Sequence, residues 1–292
     1  MKQSLDIAFE PTTLAEDLCE VRRIYANFFA DLTNADWNRA VKASPEEWNL
    51  HDTVAHLCAL NGAGLESIQC ALQGESYVFK GLNHRHQFND FNRQGIEEHR
   101  PLPIEDLCAE FLNILDRSVD IARNLLPSQN ELTSEMPIYN RPVKIIEGLS
   151  IIMFHTGLNH SAQVAEPAGV PPLWMHLSSG IRHRMIGRVM NALSLLYRSD
   201  LGGDLQAILA FQVDGEGGGH WYVQVSPESC TSGEGAVNHP SLTVHLRRTD
   251  VFCRMFTGRL NLLLALMTGQ LRLRGDLRLF LRMGSLFSVD AR

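Results

Sequence analysis

The sequence predicts a multidomain protein in which an all-α four-helix up-down bundle is followed by an α+β domain. Three observations lead to this fold class. The chain has 292 residues, more than a single hydrophobic core usually serves. Long segments with helical spacing fill its first part, whereas strand-like and helical segments alternate in its last part. Between them Val170, Pro171 and Pro172 cannot continue a helix, so we place the domains at 1–170 and 171–292.

Four segments of the first domain have apolar residues three and four positions apart, which predicts long amphipathic helices. They cover residues 13–32, 49–72, 104–126 and 142–167. A long connection at 74–103 leaves room for one more short helix near 88–99. Four such helices with one long connection are typical of an up-down bundle.

The second domain opens with an amphipathic helix and continues with alternating strand patterns. Strands are predicted at 205–213, 221–225, 242–246 and 270–274. A glycine-rich turn at 215–219 makes the first two strands a hairpin. Helices are predicted at 176–197, 249–256, 260–267 and 277–287, and strands clustered between helices indicate an α+β domain.

Charge and hydropathy exclude several classes of protein. A formal net charge of -7 argues against nucleic acid as a main partner, because phosphate binding needs a basic face. No apolar run approaches the ~20 residues of a membrane span, which predicts no integral membrane segment. The start of the chain lacks the apolar region of a secretory signal, so we expect a cytoplasmic protein. The six cysteines form no CxxC pair, and most lie in apolar helical stretches, which predicts buried reduced thiols.

Three motifs of the first domain occur in the order found in a known family. Glu47-Trp48-Asn49 precedes the second helix, and His56 lies eight residues after the tryptophan. A polar segment at 89–92 lies in the long connection, and the His-x-x-Gln motif at 160–163 lies in the fourth helix. With their spacing, these motifs resemble the DinB-like superfamily over most of residues 10–172. That superfamily includes bacterial thiol-dependent transferases and mycothiol-dependent maleylpyruvate isomerase.

This resemblance implies that His56 and His160 are metal ligands, and imidazole ligands suit zinc or nickel. The family usually has His or Glu four residues before the second histidine, where this chain has Thr156. His155 is adjacent, but five residues before His160 it would point about 140° away in a regular helix. A π-bulge would bring the two side chains together.

Other interpretations of the third ligand remain open. His84 or His86 from the long connection could complete the site, or the ligand is missing and the site is weak or lost. If a metal is bound, it lowers the pKa of a bound thiol or water and so supplies a nucleophile. The resemblance implies thiol-dependent transfer or isomerisation with a low-molecular-weight thiol as cofactor. Glu47, Glu147 and Glu166 are either bases, partners of the ligands or solvated carboxylates. Bundles of this type often pair, so by analogy we expect a homodimer.

The second domain resembles the sterol carrier protein type-two fold. The most specific part is 267–277, which reads as a helix end, a glycine turn, a short alternating strand, a second glycine and a capping aspartate. This resemblance implies a lipid or other small apolar ligand. Long apolar side chains would line its tunnel, or else they simply fill the core: Phe211, Trp221, Phe252, Phe256, Leu263 and Leu266. Arginines at 247–282 form either a surface for anionic lipid headgroups or carboxylates, or a solvated face.

Two hypotheses from different classes follow. In the first, the protein is a divalent-metal-dependent enzyme, a thiol-dependent transferase or isomerase, whose second domain binds an apolar ligand. In the second, it is a non-enzymatic lipid or sterol-type carrier with a degenerate metal site. Thr156 favours the second hypothesis. His56 and His160, retained in their family context, favour the first, which we adopt as the prediction.

Overall fold

A computed structural model of the chain describes residues 7–41 and 48–289. These residues form two units. The first, which we call the bundle unit, comprises Phe9–Pro137 and Pro142–Leu177. The second, the sheet unit, begins at Ser178 and includes Ile7, Ala8 and the segment Ile138–Arg141.

The bundle unit is built from helices, of which the longest ones bury an apolar stripe. They are α1 (Pro11–Ala30), α2 (Asn34–Trp37), α3 (Leu50–Leu72), α4 (Phe88–His99), α5 (Ile104–Asn124), α6 (Ile145–Phe154) and α7 (Ser161–Ala165). The start of α3 is fixed by its capping residue: Asn49 accepts the backbone N–H of Asp52, and the Asp52 carboxylate accepts the backbone N–H of Asn49. This cap sets the register with which His56 enters the core.

Aromatic rings of α1 and α5 fill the centre of the bundle. The ring of Tyr25 lies 4.8 Å from that of Phe111, and Phe29 lies 5.6 Å from the same ring. Tyr25 and Phe111 are almost completely buried. The helices that sequence periodicity predicts at 13–32, 49–72 and 104–126 are confirmed within a few residues at their ends.

The fourth helix differs from its prediction at its start and in its middle. Residues 142–144 are not helical, because Val143–Lys144 (β2) pairs with Thr133–Ser134 (β1) in a short antiparallel hairpin. The helix α6 therefore begins at Ile145, where the Glu147 carboxylate accepts the backbone N–H of Lys144. Between α6 and α7 the backbone widens into a π-helical segment, His155–Asn159.

The sheet unit contains one five-stranded sheet and the helices packed on it. Its strands are β3 (Ala207–Val213), β4 (Gly219–Val225), β5 (Cys230–Glu234), β6 (Leu242–Leu246) and β7 (Leu271–Gly275), in the spatial order β5-β4-β3-β6-β7. β3 and β6 run parallel, and the other pairs are antiparallel. The helices are α8 (Ser179–Leu196), α9 (Ser199–Gly202), α10 (Thr249–Phe256), α11 (Leu262–Met267) and α12 (Leu277–Leu286).

This arrangement confirms the predicted fold class, a helical bundle followed by an α+β domain. One face of the sheet is buried over its central strands, with Leu209, Phe211 and Trp221 among its side chains, whereas His220 and Gln224 on the other face are exposed. In the described part of the chain, no helix has both the length and the apolar character that crossing a membrane would require.

Candidate metal centre

Three buried histidines of the bundle unit converge on one point. His56 lies in the second turn of α3, His155 opens the π-helical segment, and His160 follows it. One ring nitrogen of each lies within 4.8 Å of the others. The two Nε2 atoms of His56 and His155 are 3.3 Å apart, and the ring of His160 lies 4.7 and 4.5 Å from the other two rings. Each side chain is at most 8% exposed.

The π-helical segment is what brings His155 and His160 together. The backbone N–H of His160 donates to the carbonyl of His155 at 3.1 Å, the i to i+5 pattern of a π-helix. In this wider turn, residues five positions apart in sequence are separated by one helical turn and point to the same side. In an α-helix they would point to different sides. The cluster contains neither His84 nor His86, whose rings stack on each other at 5.6 Å on the long connection.

Thr156, four residues before His160, has a contact outside the histidine cluster. It is fully buried, and its Oγ1 accepts a hydrogen bond from Asn61 Nδ2 at 3.0 Å. Asn61 in turn accepts from Nδ1 of His155 at 2.9 Å. With its amide so oriented, Asn61 keeps the hydrogen of His155 on Nδ1 and leaves the Nε2 lone pair facing His56. Tyr25 donates to the Thr156 carbonyl at 2.8 Å and holds the same turn from α1.

The other two histidines are oriented less completely. Gln163, from the His-x-x-Gln motif, accepts a hydrogen bond from Nδ1 of His160. The basic nitrogen of His160 is therefore its Nε2. That Nε2 lies 3.3 Å from Nδ2 of Asn159. In His56, Nδ1 is buried and has no hydrogen-bond partner among the residues that the structure describes. The ring of Trp48 lies 5.0 Å from the His56 ring, and the two rings are tilted by 39°.

Burial sets the charge state of this cluster. Loss of hydration lowers the pKa of His56 and of His155 well below its ordinary value, and the neighbouring His160 lowers both further. Both rings are therefore neutral near pH 7. A neutral imidazole is the form that binds a metal ion, because its lone pair is free.

These lowered pKa values predict an acid-sensitive bundle. The unfolded chain takes up protons on both histidines below about pH 6.5, whereas the folded chain does not. With a chelator present, these two histidines should add no pH dependence to the free energy of unfolding above that pH. Below it, the free energy should fall by up to about 1.4 kcal/mol per pH unit for each histidine.

The free energy of unfolding of the bundle unit is measured at each pH by urea unfolding, followed by tryptophan fluorescence. A Trp221→Phe background is used, because its remaining tryptophans lie in the bundle unit. His84→Ala, which removes an exposed histidine, serves as the control and should show the same fall in the free energy of unfolding per pH unit as the parent. A double variant, His56→Asn with His155→Asn, should lose most of this slope. An unchanged slope in the double variant would contradict the assignment.

The cluster fits a divalent metal ion that prefers nitrogen ligands. Two nitrogens bound to one tetrahedral zinc ion at their usual distance lie about 3.3 Å apart, and the Nε2 atoms of His56 and His155 have this separation. No carboxylate belongs to the cluster of described residues. Glu147 caps α6, Glu166 follows α7, and Glu47 lies outside the described residues.

The candidate ligand-binding residues of the sheet unit fall into two groups. Phe211, Trp221, Phe252 and Phe256 lie together: Phe211 is opposite Trp221 in the sheet, and the Phe256 ring lies 6.1 Å from Phe211 and 4.4 Å from Phe252. The first three are at most 1% exposed and form the core. The other group is on α11, where Leu263 and Leu266 are 70% and 42% exposed and do not join the aromatic group.

Sequence patterns missed part of the histidine cluster. Asn61 and Tyr25 were given no role, because a polar residue and an aromatic residue inside amphipathic helices carry no signal of their own. Gln163 could have been found from the His-x-x-Gln motif, since it is the residue one turn after a candidate ligand.

Two family models match separate parts of the chain. Residues 18–141 match the family model of the mycothiol maleylpyruvate isomerase N-terminal domain, and residues 194–288 match that of the SCP-2 sterol transfer family. Hydroxysteroid dehydrogenase-like protein 2 of Homo sapiens is 31% identical over 83 residues, which is 28% of this chain and 20% of that protein. Its Bos taurus counterpart is 30% identical over 83 residues, with the same coverage. The chain therefore spans about a fifth of these curated relatives.

Two similar solved structures cover both units. The crystal structure of the mycothiol-dependent maleylpyruvate isomerase matches with a TM-score of 0.53 and 15% identity, over 88% of this chain and 90% of that one. A histidine-to-alanine mutant of that isomerase matches with a TM-score of 0.51, 15% identity and the same coverage. At this identity, the likeness shows the fold alone.

Proposed function

We propose that this chain, which joins a domain of the mycothiol maleylpyruvate isomerase N-terminal family to a domain of the SCP-2 sterol transfer family, is a divalent-metal-dependent enzyme. Its reaction class is thiol-dependent transfer or isomerisation, and its metal ligands are His56, His155 and His160. The observation that carries the proposal is the convergence of three buried histidine rings, with ring nitrogens within 4.8 Å of one another.

Three protein ligands leave a coordination position for a further group, as in catalytic zinc sites. When bound there, the metal would lower the pKa of a thiol or water and so provide a nucleophile near neutral pH. The chain's own residues prepare the ligands: Asn61 fixes the hydrogen of His155, and Gln163 fixes that of His160. Burial of the three rings limits the water that could compete with a substrate.

The reacting thiol is proposed to come from a low-molecular-weight cofactor. Burial raises the pKa of the Cys108 thiol to about 11 and that of Cys230 and Cys253 to about 12. Thiols with such pKa values carry almost no thiolate at pH 7 and are weak nucleophiles. The family model that matches residues 18–141 is named for mycothiol, which supports a small thiol of that type as the partner.

The variant His56→Ala tests the proposal. It should lose bound metal and thiol-dependent activity together, by about 100-fold or more, because removing even a residue that orients a ligand commonly costs 10–100-fold. Metal content, measured by plasma mass spectrometry, and turnover with added small thiols are compared for the wild type, His56→Ala and the exposed control His84→Ala. Circular dichroism checks the fold. Unchanged metal content in folded His56→Ala would contradict the proposal.

A second candidate function belongs to the sheet unit. The match of residues 194–288 to the SCP-2 family supports the binding of a lipid or other apolar ligand by this unit. Such a ligand should copurify with the protein and raise the melting temperature relative to delipidated protein. Equal melting temperatures, with and without added fatty ligands, would count against this function.

A further inference from the structure

The helix α11 of the sheet unit is exposed on nearly all sides although almost all its side chains are apolar. Leu263, Leu264 and Met267 are 70%, 54% and 77% exposed, and Leu262 and Leu266 are each 42% exposed. Only Ala265 is buried. A helix of a soluble protein normally turns its apolar side chains inward, and a contiguous apolar surface of this kind marks an interaction site.

The sequence around this helix is rich in positive charge. The segment 247–282 contains eight arginines and two aspartates, in a chain whose formal net charge is -7. Arg272 and Arg274 are exposed on β7, the edge strand that directly follows α11. The guanidinium group of Arg272 lies near Gly269, just after the end of α11. Its Nη2 is 3.7 Å from the position that a Cβ on Gly269 would occupy. The apolar helix and a guanidinium group thus belong to one surface.

The helix α12 also carries exposed apolar side chains next to arginines. On α12, Leu277 and Leu281 are 55% and 82% exposed, and they are one turn apart. Arg278 and Arg282 follow them directly in sequence and are also exposed. Exposed apolar side chains on α11 and α12 are therefore accompanied by exposed arginines on β7 and α12.

We propose that α11, with Arg272 and Arg274, docks the protein on the surface of a lipid bilayer that contains anionic headgroups. Its leucines and Met267 enter the boundary between headgroups and acyl chains, and the arginines contact the headgroups. Protein surfaces that bind at this boundary do so through buried apolar area together with attraction to anionic lipid.

Charge and shape favour a bilayer over other partners. In a symmetric contact with a second copy of this chain, the exposed arginines of both copies would lie in one interface, and like charges there are unfavourable. A single small ligand needs a concave site, whereas α11 is a protruding helix. A bilayer is the partner that offers an extended apolar interior beneath a negatively charged surface.

The test is sedimentation of the full-length protein with vesicles of phosphatidylcholine, alone or mixed with phosphatidylglycerol. The wild type should bind the mixed vesicles, and added salt should weaken the binding. Leu263→Ser with Met267→Ser should reduce the partition coefficient by about tenfold or more, because two large apolar side chains no longer enter the lipid. Val78→Ser, at a position 76% exposed in the bundle unit, is the matched control and should bind like the wild type.

A second variant tests the contribution of the arginines separately from that of Leu263 and Met267. Arg272→Gln with Arg274→Gln should reduce binding to the anionic vesicles by about 30-fold, since each of the two basic residues near such a surface contributes about 1 kcal/mol. Failure of the wild type to bind anionic vesicles would overturn the proposal, as would equal binding by the leucine–methionine variant. A wild-type dimer that this variant converts to a monomer would also overturn it, because the helix would then be a subunit interface. His56→Ala should bind vesicles normally, which separates this inference from the proposed enzyme activity.

Discussion

Replacing His155 by alanine is expected to lower the affinity of the protein for zinc by more than about 100-fold, because loss of a residue that only orients a ligand already costs 10–100-fold. His155 contributes the nitrogen that faces His56 at 3.3 Å, and its orientation is fixed by Asn61. The remaining pair of histidines cannot enclose the ion. Competition titration against a chromogenic chelator measures the affinity, and circular dichroism confirms that the bundle is folded.

A paired exchange of neighbouring residues makes this prediction specific to the π-helical segment. In an α-helix a histidine at position 156 would share a face with His160, whereas in the π-helical segment it is position 155 that does so. The variant His155→Thr with Thr156→His keeps the composition and should bind zinc as weakly as His155→Ala. Zinc affinity equal to that of the wild type would show that the segment presents position 156 to the metal, contrary to the structure.

Replacing Phe211 by alanine is expected to cost about 3–5 kcal/mol in the stability of the sheet unit, the usual range for a buried phenylalanine. Phe211 is fully buried at the centre of β3, opposite Trp221 and beside Phe256. Leu263→Ala is the matched control, and it should change the stability by less than about 0.5 kcal/mol because its side chain is 70% exposed. Hydrogen exchange of peptides that cover β3 and β4 measures the free energy of opening for both variants.

This comparison also separates two roles that the sequence left open for Phe211. A side chain that lines a ligand tunnel has free space on one side, so its truncation leaves a smaller packing defect. A loss below about 1 kcal/mol for Phe211→Ala would contradict a core role. Rescue of that variant by an added apolar ligand would point to a tunnel wall instead.

Helical periodicity predicted most of the fold because apolar spacing is a local property. The spacing of leucines and aromatic residues in α1, α3 and α5 indicates helices whatever they pack against. The start of the fourth helix could not be obtained in this way, since Val143–Lys144 is extended only because it pairs with a segment ten residues earlier. β5 was missed for a similar reason. Its sequence, Cys-Thr-Ser-Gly-Glu, lacks apolar alternation, and the strand is held by its pairing with β4.

The candidate site was predictable only as far as its motifs reached. His56 and His160 stand at positions that a family resemblance identifies, but a sequence does not show whether a helix is α or π between 155 and 160. That choice depends on contacts between helices. Thr156 turns toward Asn61 of α3, and its carbonyl accepts a hydrogen bond from Tyr25 of α1. These contacts lie 95 and 131 residues apart in the chain, beyond the range of any local pattern.

The most direct test of the three-histidine centre is its metal content. Protein purified without a chelator or a polyhistidine tag is analysed by plasma mass spectrometry beside the variant His160→Ala. We predict about one equivalent of zinc or nickel per chain in the wild type and its loss in the variant. No metal in the wild type, even after reconstitution with either ion, would contradict the centre and leave apolar-ligand binding as the function that the chain supports.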